Sequence, residues 1–413
     1  MARDKIGRFR CIYSKTDITT KSEAEDELKS KMDKISHDSD FKGFVEQGDE
    51  PSASIDLLSI PKGIDKKQLH PYFLQLIDLE HFEPARKVIA ELSKWMFPAD
   101  KHFVNEFQRF QFDQRLWEIY LWATFRELGY QVMQHESPDF ECKNFLANFL
   151  VEATTISPSQ SGVLAKHPNP TTEDEYQKFL EEYMPMKVGS ALTSKLNKRN
   201  AQGDAYWDMP HVQGKPFILA IEDFHKAADL NDVKPGSMVY SQTAFFIYLY
   251  GNRVIWEKRP DGTLYIETAP VKEHNYEDKT IPSGFFDLEG AENISAILFS
   301  NSGTISKFTR MGVCAGFGKN DFKYVRAGML FNPDPNAEVG IPFKIDVASE
   351  KYGEFWSDDL QLFHNPNAKY PLKRNWFPNV THHYFEDGKF LSLDSALRVL
   401  SSVTLNIRIK KNK

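Results

Sequence analysis

Cysteine is scarce in this chain: Cys11, Cys142 and Cys314 are the only three among 413 residues. An odd, scattered set without paired spacing excludes a disulfide framework and a cysteine zinc site, and it fits a reducing, cytoplasmic setting. The glycosylation sequons that begin at Asn293 and Asn379 accordingly read as chance matches. Apolar runs are short, and none approaches the roughly 20 residues that span a bilayer. The opening Met1-Ala2-Arg3-Asp4-Lys5 has no hydrophobic signal core, so no membrane role is expected. Neither a Gly-x-Ser-x-Gly elbow nor a glycine-rich phosphate loop is present, which removes the simplest serine-hydrolase and phosphate-loop readings. His225, His364, His382 and His383 could ligate zinc, but their spacing is not that of a metal site. Adjacent strand residues point to opposite faces, so His382 and His383 cannot simply chelate together. Positive charge is not in excess either: 51 Lys and Arg against 58 Asp and Glu leave a net −7, which argues against a protein that coats nucleic acid. It leaves room for a protein that takes phosphate groups into a groove, which needs only local positive charge.

What is present is a folded protein, since 41% hydrophobic and 13% aromatic residues are enough for sizeable cores. The length favours two or three domains. Residues 1–100 read as a mixed, partly helical N-terminal region. It holds a charged helix-prone stretch from Glu23 to Ile35, linker-like Gln47–Ser54, and helical spacing from Phe73 to Trp95. Residues 101–330 read as an α/β core with a central sheet. There the pattern predicts a helix over Asn105–Leu128 capped by Gly129, a strand over Tyr130–Gln134, a loop over Ser157–Thr172, and helices over Glu173–Glu182 and Lys187–Asn200. A buried strand over Pro216–Phe224 and a helix over Ser237–Tyr250 follow. Val254–Glu257 and Leu264–Thr268 form a hairpin insertion around Arg259-Pro260-Asp261-Gly262, and Ile294–Phe299 is a further apolar strand. Residues 331–413 read as a β-rich, loop-rich C-terminal part.

The most informative stretch is Pro138–Thr154. Phe140–Lys143 and Phe149–Thr155 have strand character, and Asn144–Asn148 is long enough for a turn. A hairpin centred between Phe145 and Leu146 sets Asp139 opposite Glu152, on one face with Cβ atoms roughly 5 Å apart. Two carboxylates so placed repel each other unless a cation lies between them. All-oxygen ligation suits Mg²⁺ or Mn²⁺ rather than zinc.

Pro138-Asp139 followed at strand distance by Glu152-Ala153-Thr154 resembles the PD-(D/E)XK nuclease superfamily, over roughly Asn105–Gly251. The resemblance implies a restriction-endonuclease-like core of α-β-β-β-α-β order with a mixed central sheet. It further implies Mg²⁺-dependent hydrolysis of phosphodiester bonds, with nucleic acid, DNA before RNA, as the partner. Asp139 and Glu152 would be the metal ligands. Thr154 stands where the family has its lysine, and a hydroxyl cannot carry that charge.

Two further residues are drawn in. Glu118 sits in the otherwise apolar run Arg115–Trp122, where an ionised carboxylate needs a cation or strong donors. It is similar to the helix glutamate that completes the metal site in many members of the superfamily; the alternative is a pair with Arg115 or a side chain reaching solvent. For the missing lysine, Lys143 falls at the far end of the hairpin. Lys195 lies within the stripe Val188, Ala191, Leu192 and Leu196, so it is the first choice to assist the attacking water, with Lys198 one turn on as runner-up. His135, three residues before Pro138, is a candidate to line the same cleft, a structural role being favoured. Lys187, Lys195, Lys198 and Arg199 form one basic run and Arg408–Lys413 another, either a phosphate contact or a solvated face. The competing function classes are an inactive nucleic-acid-binding or scaffold protein of the same fold, and an interaction protein whose carboxylates are surface residues.

Overall fold

The computed structural model describes residues 2–38, 48–49, 55–98, 100–156, 164, 168, 170–224, 238–318, 321–337, 339–395 and 398–409. Most of the expected linker Gln47–Ser54, most of the Ser157–Thr172 loop, His225 and the basic tail from 410 to 413 lie outside the described residues. The chain begins with a short ribbon of β1 (Ala2–Arg3) and β2 (Phe9–Arg10), then the charged helix α1 (Lys21–Ser36), which buries nothing. Next come α2 (Pro71–Asp78) and α3 (Glu83–Ser93), whose apolar faces enter the main core through Phe73, Leu76, Val88 and Ile89. The N-terminal region and the sheet-covering helix therefore share one hydrophobic cluster.

The expected helix over Asn105–Leu128 is two helices, α4 (Phe103–Arg109) and α5 (Phe112–Glu127). The break sets Phe107 against Phe112 with 4.9 Å between ring centroids. It also lets the buried Gln108 amide donate to the carbonyls of Leu57 and Ser59, both at 3.0 Å. These tertiary contacts override a continuous helical pattern. Helix α5 is apolar around most of its girth and accordingly buried from Leu116 to Phe125.

The central sheet has eight strands. The first four are β3 (Gln131–Gln134), β4 (Phe140–Lys143), β5 (Asn148–Ile156) and β6 (Phe217–Asp223), and between the last two lie α6 (Glu173–Lys178) and α7 (Met184–Leu196). Strands β3, β4 and β5 form an antiparallel meander, while β6 runs parallel to β5. All seven residues of β6 are buried, as expected of a near-continuous apolar strand inside a sheet. Helix α8 (Met238–Tyr250) leads to the ribbons β7 (Asn252–Lys258) with β8 (Leu264–Pro270) and β9 (Glu273–Tyr276) with β10 (Lys279–Pro282). Strand β11 (Ala296–Ser300) returns to the sheet parallel to β6. Helix α9 (Ile305–Cys314) then packs against α3, where a Cβ on Gly312 would lie 2.3 Å from the Pro84 carbonyl oxygen, so only glycine permits the approach.

The expected boundary at residue 330 is not a boundary of the sheet. Strands β12 (Phe322–Leu330), β13 (Ile341–Asp346) and the final β17 (Val399–Arg408) make a separate three-stranded sheet. But β14 (Gln361–His364), β15 (Thr381–Glu386) and β16 (Lys389–Leu393) continue the central one, giving the order β16-β15-β14-β11-β6-β5-β4-β3. Under the sheet, Glu354 gathers Lys307, Arg310 and Arg326 into a buried ion cluster. Among the described residues no helix is long and apolar enough to cross a membrane.

One acid in α5 gives a test of the fold. Burial pushes the Asp113 carboxyl from 3.8 up to about 6. A folded value above the unfolded one means that its contribution is fully present below about pH 4 and is lost as pH rises through about 6. Asp113→Asn is therefore expected to raise stability by roughly 1–2 kcal/mol at about pH 8 and to leave it unchanged near pH 4. Urea midpoints at the two pH values check it, and equal gains at both would contradict it.

Candidate metal centre

The β4–β5 hairpin turns at Asn144–Ala147. The Asn144 side chain accepts from the amides of Leu146 (2.8 Å) and Ala147 (2.9 Å), which leaves Phe145 at the exposed tip. The ladder pairs Phe140 with Val151 and Lys143 with Asn148, the register of a hairpin centred between Phe145 and Leu146. The ladder ends at Phe140 and Val151; continuing its register by one step would set Asp139 opposite Glu152. Asp139 Oδ2 accepts the Ala153 amide proton at 2.7 Å, which ties its carboxylate to the strand beside Glu152. Burial, then the charges of Glu152 and Glu118, push the Asp139 carboxyl well above the usual range.

Side-chain alternation divides the site between two layers. Phe140, Phe149, Val151 and Ala153 face the cluster containing α5, whereas Leu150 and Ile156 face the cluster containing Val188, Leu192 and Leu196 of α7. Glu152 has the parity of Leu150 and so points to the α7 side. There Lys195 Nζ donates to Glu152 Oε1 at 2.6 Å, and the Tyr206 hydroxyl donates to the same oxygen at 2.6 Å. Lys198 Nζ is 3.7 Å from that oxygen and half-exposed. Glu152 Oε2 is buried and has no partner. Thr154 shares this face and is buried too, with Lys195 reaching Glu152 from the helix above. Lys143 is exposed at the far end of the hairpin, as its parity predicts.

Glu118 approaches from the other layer. Its two oxygens accept from Arg115 Nη1 at 3.1 and 3.0 Å, and Oε1 also accepts from Gln114 at 3.1 Å. Burial raises its pKa despite Arg115. Glu118 is thus the arginine-paired glutamate, and its charge is felt by both Asp139 and Glu152. Arg115 is itself tied to Glu106 and Asp100. On this side lies a cavity of about 250 Å³ lined by Asp100, Arg115, Glu118, His135, Glu136 and Asp139, but not by Glu152 or Lys195. Its lining carries four acids and one arginine, and that arginine is already paired with Asp100 and Glu118.

Among the described residues no group of three or more His, Cys, Asp or Glu side chains is arranged to hold a metal ion. Any ion here would rest on Asp139 and Glu152, all-oxygen donors of the kind hard cations take. The partnerless, buried Glu152 Oε2 fits such a group, since an unpaired buried carboxylate oxygen is costly.

The other expected residues lie elsewhere. His135 is 3.6 Å from Glu141 and its ring lies 5.2 Å from that of His211, at the cavity edge. His364 Nε2 and His382 Nδ1 are bonded to each other at 2.8 Å, while His383 turns away to Gln361 and Ser392. Burial pushes His364 down to about 3, so it is a neutral core residue. The basic run is divided: α7 ends at Leu196, Lys187 is buried, and Arg199 lies over the Trp207 ring. Tyr206 was outside the sequence expectations, because no periodicity or motif marks it; Arg115 was legible only as a spacing of three from Glu118. Comparison with known proteins returns no match, neither to a family model, nor to a curated protein, nor to a solved structure.

Proposed function

We propose that this chain is a divalent-metal-dependent nuclease of the PD-(D/E)XK type, hydrolysing phosphodiester bonds in nucleic acid, with DNA as the favoured substrate. The observation that carries the reading is at Glu152: one oxygen is held by an ammonium at 2.6 Å and the other is buried without a partner. Mg²⁺ or Mn²⁺ would be held by Asp139 and Glu152, and when bound would polarise the scissile phosphate and acidify a water. Mg²⁺ keeps several waters of its own, so two carboxylates suffice. Lys195 takes the place that Thr154 leaves open: its ammonium, anchored on Glu152, orients the attacking water and offsets negative charge that builds on the phosphate. Asp139 is positioned by the Ala153 amide. Glu118, neutralised by Arg115, is an outer carboxylate that tunes Asp139 rather than a direct ligand.

A second reading, favoured by Thr154 in the motif position, keeps the fold and loses turnover, leaving a nucleic-acid-binding or scaffold protein. One experiment separates the two. Lys195→Ala is expected to lower Mg²⁺-dependent DNA cleavage by about 10²–10⁴-fold while Mn²⁺ affinity is kept or rises, since the ammonium is not a ligand. Cleavage at the wild-type rate by Lys195→Ala, with loss in Lys198→Ala, would move the role to Lys198. Wild-type protein that binds Mn²⁺ but cleaves neither DNA nor RNA would establish the inactive reading.

A further inference from the structure

We propose that Tyr206 is a positioning residue of this centre, fixing the Glu152 carboxylate so that only Oε2 is offered to a cation; the inference rests on the metal-site reading above. A carboxylate oxygen has two lone pairs in its plane. On Oε1 these are answered by the Tyr206 hydroxyl and the Lys195 ammonium, both at 2.6 Å. With Oε1 saturated, turning the carboxylate about its last bond would break two short charge-assisted hydrogen bonds inside a buried site. The remaining oxygen, Oε2, is thereby held in one direction, buried and without a partner.

Tyr206 is itself rigid. It is 2% exposed, and its ring stacks on Phe217 of β6 at 5.3 Å between centroids. Lys198 Nζ lies 5.2 Å above the same ring, so the runner-up lysine is engaged with this tyrosine. The loop that delivers Tyr206 is tied by its own side chains. Asn200 Oδ1 accepts from the Asp204 amide at 2.8 Å, and Asp208 accepts from the Ala205 amide at 3.1 Å. Ring, loop and hydroxyl are therefore set before any ion arrives, as a group that orients a metal ligand from behind must be.

Tyr206→Phe tests this, because it keeps the ring packing and removes only the hydroxyl. Mn²⁺ titrated into the protein by calorimetry is expected to bind about tenfold more weakly to Tyr206→Phe than to wild type. The kcat for DNA cleavage is expected to fall, with KM for DNA unchanged. Tyr248→Phe is the control, since its hydroxyl meets Thr193 of α7, the helix that carries Lys195, at 3.3 Å and is hydrogen-bonded to no carboxylate; it should leave Mn²⁺ affinity alone. Wild-type Mn²⁺ affinity in Tyr206→Phe, or an equal loss in Tyr248→Phe, overturns the positioning role and leaves the metal-site reading intact. Wild-type protein that binds no Mn²⁺ overturns that reading, and the role of Tyr206 with it.

Discussion

Glu152→Gln is expected to reduce Mg²⁺-dependent DNA cleavage by about a thousandfold, a loss of roughly 4 kcal/mol of transition-state stabilisation, in a protein that remains folded. Glutamine has the shape of glutamate, and its amide oxygen can still accept from Lys195 and Tyr206, which both address Oε1. That arrangement puts the amide N–H₂ where Oε2 stands, presenting donors to a cation instead of a lone pair. The fold should tolerate the change. Asp139 and Glu118 are both pushed upward in part by the charge of Glu152, so removing it relieves a repulsion. Lys195 loses its counter-charge, but its side chain is 20% exposed and can turn to water. The checks are single-turnover cleavage, Mn²⁺ titration and a thermal midpoint. A variant that is folded and cleaves within a few-fold of wild type would remove Glu152 from the mechanism.

The hairpin was legible because its determinants are local. Side-chain alternation and a turn of fixed length leave little freedom, and Phe140 opposite Val151 follows once the turn is placed at Phe145–Leu146. Lys195 was legible for a similar reason: a lysine inside the Val188–Leu192–Leu196 stripe must point at whatever that stripe covers, and it covers β5. Other features depend on partners distant in sequence. The break at Phe110–Gln111 follows from Phe107 meeting Phe112 and from Gln108 finding the Leu57 and Ser59 carbonyls. Arg115 could have served several acids, and its capture of Glu118 is settled only where Asp100 and Glu106 converge on the same guanidinium. Tyr206 arrives from an irregular loop whose course is set by Asn200 and Asp204. The extension of the sheet past residue 330 was hidden because β14 is four residues long and joins the sheet through β11, far back in the chain, while pairing parallel with β15, the next strand.

Away from the carboxylate centre, the largest loss of stability is expected from Glu354→Gln, at about 3–5 kcal/mol. The Glu354 side chain is 1% exposed. Its Oε1 is 2.8 Å from Lys307 Nζ, 2.8 Å from Arg310 Nη2 and 3.3 Å from Arg326 Nη1, while Oε2 accepts from Arg310 Nε at 2.9 Å and from the Tyr352 hydroxyl. Burial alone would raise its pKa, but the three cations overcome burial and hold the carboxyl well below 4.5. A depressed acid contributes stability that is complete above its unfolded value and is lost as pH falls through the folded one. In Glu354→Gln, among the described residues the one salt bridge left to Lys307, Arg310 and Arg326 is that of Arg326 with Asp359 at 2.7 Å, with Asp358 near Lys307. Removing the carboxylate that all three buried cations share is the costly case of a broken ion cluster, because each charge has already left water. Urea midpoints near neutral pH should fall sharply, and the gap from wild type should close in acid as wild-type Glu354 takes up its proton. The exposed pair Arg408–Glu80 is the comparison: Glu80→Gln should leave the midpoint in place, because both side chains are mostly in water. A midpoint for Glu354→Gln as little changed as that of Glu80→Gln would show that water reaches the cluster. In that case the anchoring of α9 and β12 to the loop before β14 would have to come from packing alone.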